Sequence, residues 1–285
     1  MISSVSYADR VARIRDDAIV LRRWDWSETS QATLLFCRKH GLLRGLAKGA
    51  KREKGAFSGG LEPLTLGEVG AIVKASTELA TLTDWDLREV FRGCRSTSRG
   101  FLAGHYIADA IRSSVHDADP HEGLWDATVA ALRGFADAGA IERQLAQFQW
   151  ALLVETGYRP DLTLAAGESR QTNADDVRGS PSKAIPATWA YDPARGALVN
   201  AASISGRDSV WRIRNQTVGG LRAIADAREP SSPIKPESLE RINRFLASCI
   251  AWSLGRTPPT MERLFGPLVL GSSDSAHRAP GGADR

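Results

Sequence analysis

Five short strand-like segments in the first third of the chain most narrowly limit how it can fold. Each is rich in Leu, Val, Ile, Ala or Thr and is bounded by turn-forming residues. The segments cover residues 17–26, 31–37, 42–47, 61–75 and 78–84. Gly67 and Gly70 lie inside the fourth, where they predict bulges that let a sheet curl. Five consecutive strands, one of them bent by glycines, predict a small closed barrel of the OB type.

The rest of the chain has mainly helical periodicity, with one interruption. After Leu87, apolar residues recur at helical spacing. The predicted helices cover residues 101–110, 122–136, 141–156, 213–227, 236–254 and 261–265. Residues 159–212 are instead rich in Ser, Gly, Pro, Asp and Asn, and within them only residues 188–199 have the pattern of a hairpin.

These patterns predict an α+β protein, and a length of 285 residues suggests about two domains. We expect a five-stranded OB-fold nucleic-acid-binding domain over residues 1–88, in which residues 1–13 form a frayed leader. An α-helical domain over residues 89–270 should carry a small irregular or β-hairpin insert at residues 159–212. Residues 271–285 are polar and are expected to be a disordered tail.

The basic charge of the chain is concentrated in residues 38–55. Seven basic residues and one acid, Glu53, give this stretch a net charge of +6; the whole chain carries +4, so the remainder carries −2. Leucines and regularly placed glycines predict a short strand followed by a glycine-bounded basic loop. A local positive patch on a nearly neutral body is typical of a polyanion-binding protein. The alternative is a solvated basic loop that only keeps the protein soluble.

Other basic and aromatic residues are expected to extend this patch on one barrel face. Trp24 and Trp26 could offer stacking platforms, worth about 1–3 kcal/mol per base. Alternatively, they cover the barrel mouth or pack against the helical domain. Because the basic side chains would contact phosphates, binding should depend only weakly on sequence. The candidate DNA contacts are Arg22, Arg23, Trp24, Arg38, Lys39, Arg44, Lys48, Lys51, Arg52 and Lys54.

Several functional classes find no support in the sequence. Neither the phosphate-binding pattern G-x-x-x-x-G-K-[ST] nor the nucleophile elbow G-x-S-x-G occurs. Residues 116–121, with two His and two Asp, fit a turn between helices better than a metal site, and His105 fits a packed or half-buried position. We therefore predict no catalytic residue, metal ligand or cofactor, and no enzymatic activity.

The expected location is the cytoplasm, in association with the nucleoid. Cys37, Cys94 and Cys249 are widely scattered and form no disulfide framework, which fits a reducing compartment. No apolar run approaches the roughly 18 residues needed to cross a bilayer. The amino-terminal residues lack the apolar core of a signal peptide.

Specific segments of the chain resemble the bacterial RecO family of DNA repair and recombination mediators. The resemblance rests mainly on residues 40–50, HGLLRGLAKGA. Weaker matches are AIVLR at 18–22, LEPL at 61–64, GYRPDL at 157–162 and LGR at 254–256. The family implies an OB barrel, binding of single- and double-stranded DNA, and annealing of complementary strands. It also implies the partners RecR and single-stranded-DNA-binding protein, with which a RecA-type recombinase is loaded without ATP hydrolysis.

One departure from the family concerns zinc. Many members carry a four-cysteine zinc site in the insert, but no cysteine lies between Cys94 and Cys249 here. We therefore expect no structural zinc, and an insert held by apolar packing around Trp189, Tyr191 and Leu198.

Two other functions remain open from the sequence. The helical domain could be the main surface of a protein-binding adaptor, with a groove between the apolar faces of the helices that contain Phe101 and Leu239. The barrel could instead bind RNA.

Overall fold

The computed structural model describes most of the chain outside its two ends. The described residues are 11–52, 55–57, 60–163, 188–199, 210–226 and 234–268. The expected tail at 271–285 and the first ten residues of the expected leader lie outside them. Residues 11–13 of that leader are part of the first strand, so this part of the prediction is wrong.

Five strands close into a barrel in the order β1-β2-β3-β5-β4. Their bounds are β1 Val11–Asp25, β2 Gln31–Cys37, β3 Gly41–Ala47, β4 Thr65–Lys74 and β5 Ala80–Val90. β3 and β5 pair in parallel, whereas the other neighbours pair antiparallel. This closed five-stranded arrangement confirms the predicted OB-type barrel.

The predicted bulges in β4 are present. The pairing with β5 shifts register between Leu66 and Gly67 and again between Gly70 and Ala71. A Cβ atom on Gly67 would lie 2.5 Å from the carbonyl oxygen of Asp86, so only glycine fits this close approach. The two shifts bend the strand and let the sheet close on itself.

The barrel has an apolar interior and one apolar outer face. Val20, Leu35 and Val69 belong to the interior cluster. Leu34 and Phe36 alternate with the interior residues of β2 and belong to the cluster that contains the helices. The rings of Phe36 and Trp125 pack with centroids 5.7 Å apart. The outer face of β1–β2–β3 is therefore partly covered by the helical part of the protein.

Seven α-helices follow the barrel within the described residues. Their bounds are α1 Gly93–Ser96, α2 Ser98–Ser114, α3 Glu122–Gly134, α4 Ile141–Glu155, α5 Asn215–Ala225, α6 Pro236–Leu254 and α7 Pro259–Phe265. α6 begins with Pro236, whose fixed φ suits a first helical turn, and Gly255 ends it with φ +63°. The predicted start of α5 at Ile213 is wrong, because Ile213 and Arg214 lie in a strand. None of the helices in the described residues combines the length and apolarity needed to cross a bilayer.

A small three-stranded sheet contains most of the described part of the predicted insert and ends two residues beyond it, at Arg214. Its strands are β6 Thr188–Asp192, β7 Ala197–Val199 and β8 Trp211–Arg214, in the order β7-β6-β8. Trp189, Tyr191 and Leu198 are buried, as expected. The Tyr191 ring meets Phe245 of α6 edge-on at 5.0 Å between centroids. The insert is therefore anchored to α6 by aromatic packing, and its residues include no cysteine that could hold zinc.

Candidate nucleic-acid interface

Two turns lie side by side at one end of the barrel. The first joins β1 to β2 through residues 26–30, and the second follows β3 over residues 48–52. Gln31 pairs with Ala47, so the start of β2 lies beside the end of β3. The backbone N–H of Lys51 donates to the carbonyl of Thr29 at 3.2 Å, which ties the turns together. Residues far apart in sequence thus share one surface.

A cleft between these turns combines an aromatic ring with cations; we call it the turn cleft. Trp26 is 57% exposed and belongs to neither apolar cluster. Lys48 and Arg52 also line the cleft, and neither has an ion pair with a described residue. The cleft has a volume of about 410 Å³ and is lined by Trp26, Ser27, Thr29, Ser30, Leu46, Lys48, Gly49 and Arg52. No carboxylate is among these lining residues, so a stacked base and its phosphates could be accommodated together.

The outer face of β1–β2–β3 continues from the cleft. Arg22 and Arg44 both lie opposite Leu34, one on each side of it. Trp24 lies in the next row and is 37% exposed. The pairing is irregular between Val20 and Arg22, and the register beyond this bulge places Arg22 and Trp24 on one face of β1. Arg23 lies between them in the strand and therefore belongs to the opposite face of β1.

Carboxylates neutralise four of the predicted contacts. Those partners reduce the net positive charge that a phosphate would meet, and nucleic acid would have to displace them. The hydrogen bond from Lys51 lowers the pKa of the Asp25 carboxyl, which keeps that partner ionised. The pairs are Arg23–Glu62 at 2.6 Å, Arg38–Asp126 at 3.6 Å, Arg44–Asp117 at 2.7 Å and Lys51–Asp25 at 3.0 Å.

The basic stretch is divided between opposite ends of β3. Arg38 and Lys39 lie in the turn before this strand, and Lys48 follows it. Six residue steps of about 3.3 Å separate the ends by about 20 Å. The Lys39 backbone N–H donates to Asp16, so this turn is held at the far end. Arg38 and Lys39 therefore do not join the turn cleft, and Lys54 lies outside the described residues.

The partners Asp117 and Asp126 could not be identified from the sequence. Both come from the helical part of the chain, more than 70 residues after the basic residues they face. A parallel bridge between Leu42 and Asp117 positions the first of them along β3. Such long-range pairs leave no local sequence signal. For Trp26, in contrast, the sequence is compatible both with stacking on a base and with packing inside the protein. The exposure of the Trp26 side chain favours stacking.

His105 occupies the half-buried position that the sequence predicts. His105 is half-buried against Phe101, with ring centroids 4.4 Å apart, and burial lowers its pKa. His121 lies between Asp119 at 3.2 Å and Glu155 at 3.4 Å. Within the described ranges, His, Cys, Asp and Glu side chains form no group of three or more that could hold a metal ion.

Comparison with known proteins gives a consistent result over most of the chain. A family model described as "Recombination protein O N terminal" matches residues 11–91, and one described as "Recombination protein O C terminal" matches residues 95–262. A protein named DNA repair protein RecO from Azoarcus is 32% identical over 265 residues, which cover 90% of this chain and 96% of that protein.

Two further similar proteins carry the same name. The one from Rhodopirellula baltica is 38% identical over 143 residues, and the match spans 50% of this chain and only 53% of that protein. The one from Anaeromyxobacter is 23% identical over 262 residues, which cover 90% of this chain and 98% of that protein. The similarity therefore includes the barrel and the helical part alike.

Proposed function

The chain belongs to the RecO family, whose role lies in DNA repair and recombination, and from that premise we propose that it is a DNA-binding recombination mediator. It binds single- and double-stranded DNA, anneals complementary strands, and helps a RecA-type recombinase load onto DNA coated with single-stranded-DNA-binding protein. RecR is its proposed partner in loading. It acts at the nucleoid, and no step of this function requires catalysis or a cofactor by this chain.

The turn cleft is the observation that carries this proposal. It brings exposed Trp26 together with Lys48 and Arg52, whose charges no described carboxylate neutralises. Cations beside an aromatic platform suit a single strand, because phosphates and base faces are both offered partners. Arg22 and Arg44 on the adjoining sheet face would extend the path of the strand.

Charge neutralisation explains how such a surface would speed annealing. Two strands repel each other through their phosphates, and this repulsion opposes their encounter. Basic side chains that hold the phosphates reduce the repulsion and release counterions. Contacts to the backbone leave the edges of the bases available for pairing, so annealing should show little sequence preference.

Two domains are proposed to divide the work. The barrel, within residues 1–88, would be the primary DNA-binding domain. The helical domain, within residues 89–270, would support protein contacts, with residues 159–212 as its insert. Among its described residues, Phe101 is 50% exposed, whereas Leu239 is buried. The apolar face of α6 is therefore covered, and only Phe101 remains for the adaptor groove considered from the sequence.

Annealing of two complementary oligonucleotides tests the proposal. Each strand is first coated with single-stranded-DNA-binding protein, and no nucleotide is added. The wild-type chain should accelerate annealing, and the double variant Lys48→Ala, Arg52→Ala should lose most of this effect. A double variant at exposed positions outside the barrel, Arg159→Ala, Arg263→Ala, is the matched control and should keep it.

Failure of the wild-type chain to accelerate annealing would contradict the proposed activity. An equal loss in the control variant would show that total charge, not the turn cleft, governs the reaction. Competition by RNA of the same sequence distinguishes the RNA-binding alternative: stronger competition by RNA than by DNA would favour it.

A further inference from the structure

A second cationic groove lies in the helical part of the protein, away from the barrel. It is formed by strand β8, the first turn of α5 and one side of α6, and its volume is about 400 Å³. We call it the arginine groove. It is lined by Val210, Trp211, Arg212, Ile213, Arg214, Thr217, Arg241, Arg244, Phe245, Ser248 and Leu268.

The charge of the arginine groove is not neutralised by any described residue. Arg212 and Arg214 are exposed on β8, and the four lining arginines form no ion pair within the described chain. Arg244 donates to the carbonyl oxygens of Phe265 and Pro267, and Arg241 donates to Ser238. These neutral acceptors fix the guanidinium groups without removing their charge. The barrel differs, because carboxylates hold four of the basic residues predicted there as DNA contacts.

Buried polar atoms without partners are concentrated around this groove. Six such side-chain atoms occur in the described part of the chain. Three of them belong to groove residues: Nε1 of Trp211, Oγ1 of Thr217 and Nε of Arg241. The Thr217 side chain is almost entirely buried, with 2% of the residue exposed. Because an unmade hydrogen bond is costly, three potential donors beside one groove favour an acceptor, such as an anion, as its ligand.

An aromatic cluster holds the groove in shape. Trp211 packs edge-on against Phe245 and Trp252, with centroids 6.2 Å and 6.3 Å apart. β8 is an edge strand of its sheet, so its outer side faces no described strand. Arg212 and Arg214 project from the same side of β8 and their Cα atoms are about 7 Å apart. Two successive phosphates of an extended strand can match this spacing.

We propose that the arginine groove binds the phosphate backbone of a second nucleic-acid strand. Arginine is suited to this ligand, because its planar fork donates two hydrogen bonds to one phosphate. Trp211 and Ile213 alternate with the two arginines along β8 and pack toward the aromatic cluster, which leaves the arginine side chains for the phosphates. This inference rests on the proposed annealing function and adds to it: one strand occupies the turn cleft, the other occupies the arginine groove.

The number of strands bound per chain tests this directly. A labelled oligothymidylate, short enough to fill one site and unable to pair with itself, is titrated into the full-length protein at low salt. The wild-type chain should bind two. The double variant Arg212→Ala, Arg214→Ala should bind one and should anneal at least tenfold more slowly, whereas Arg159→Ala, Arg263→Ala should still bind two.

Further variants separate failure of this inference from failure of the proposed function. Lys48→Ala, Arg52→Ala should also bind one strand, and the two pairs of substitutions combined should bind none. Arg212→Lys, Arg214→Lys keeps the charge and should retain two strands with weaker affinity at the groove. Circular dichroism and thermal unfolding confirm that each variant is folded.

Two outcomes would overturn the inference while leaving the barrel site intact. One is a folded Arg212→Ala, Arg214→Ala variant that still binds two strands. The other is a groove that binds acidic protein segments. In that case a labelled glutamate-rich peptide would bind the wild-type chain but not this variant, and the two proteins would bind the same number of DNA strands. If Lys48→Ala, Arg52→Ala still bound two strands while Arg212→Ala, Arg214→Ala bound one, the turn cleft would be rejected as a DNA site and the arginine groove retained.

Discussion

Nearby carboxylates limit how much some basic side chains of the barrel can contribute to binding a polyanion. Lys48 and Arg52 have no ion pair with a described residue, so they would meet a phosphate with their full charge. Arg44 must first leave Asp117, and Lys51 must leave Asp25. These exposed pairs are individually weak in water, so DNA can displace them at a modest cost. The basic stretch in the sequence therefore overstates the charge available to a ligand.

Removing one of these carboxylates should strengthen DNA binding. Asp117→Asn leaves Arg44 without its ionic partner, and we expect affinity for a single strand to rise about two- to fivefold, the range of an exposed ion pair. Fluorescence anisotropy at low salt measures this. Glu78→Gln is the control, since Glu78 is an exposed acid with no ion pair in the described chain. Equal affinity gains in both variants would show a general charge effect.

The buried thiols should make the protein less stable at alkaline pH. Burial raises the pKa of Cys94 to about 12, and it also raises the pKa of Cys37 and of Cys249. In the unfolded chain these thiols ionise near pH 8.5, so between that pH and about 12 the native state holds more protons. The free energy of unfolding is therefore undiminished below about pH 8.5 and falls as pH rises through this window.

Urea unfolding between about pH 9 and pH 11 measures this slope. One thiol contributes about 1.4 kcal/mol per pH unit. Cys94→Ala should remove about that amount from the slope, whatever it does to the stability at neutral pH. If the Cys94→Ala variant had the same slope as the wild-type chain, the Cys94 thiol would ionise as readily in the folded protein as in the unfolded one.

Elements with strong local patterns were predicted well, and elements defined by distant pairing were not. β2 and α6 have the predicted bounds, because alternation and helical periodicity extend over their whole length. β8 has only four residues and pairs with β6, from Tyr191 opposite Trp211 to Thr188 opposite Arg214, so the partners lie far apart in sequence. The first residues of β1 are mostly exposed and pair only with β4, so their sequence resembles a polar leader.

The glycines of β4 make closure of the barrel sensitive to a single methyl group. In Gly67→Ala, the new Cβ would lie 2.5 Å from the Asp86 carbonyl oxygen and 2.6 Å from the Trp85 ring. Overpacking against backbone cannot relax easily, and we expect a loss of about 1–3 kcal/mol in the free energy of unfolding. Denaturant titration measures it.

A second glycine provides the matched control. Gly219 lies exposed in α5, and a methyl group added there would have nothing within 4 Å of it. Gly219→Ala should stabilise the protein by about 0.5–1 kcal/mol, because alanine favours the helix. If both substitutions changed stability in the same direction, close packing at Gly67 would not be the reason for its glycine.

At the scale of the whole molecule, the positive charge is distributed differently from the sequence pattern. β3 separates Arg38 and Lys39 from the turn cleft by about 20 Å. Arg212 ends the segment predicted as an irregular insert, and Arg214 lies in a segment predicted as helix. Their significance depends on the groove that β8 forms with α6. The OB barrel and the helical part were predictable from periodicity. The grouping of cations depended on tertiary contacts, which no local pattern contains.

The dependence of single-strand affinity on salt tests the central claim most directly. Each phosphate neutralised contributes about −0.7 to the slope of log affinity against log salt, so about five contacts would give roughly −3.5. Lys48→Ala, Arg52→Ala should flatten the slope by about 1.4. Trp26→Ala should weaken binding by about 1–3 kcal/mol per stacked base and leave the slope unchanged.

Arg159→Ala, Arg263→Ala serves as the control and should leave both slope and affinity as in the wild-type chain. Of these three variants, only Lys48→Ala, Arg52→Ala, which lacks the cations of the turn cleft, should show a flatter slope. An unchanged slope in Lys48→Ala, Arg52→Ala would contradict it, because phosphates would then be held elsewhere on the protein.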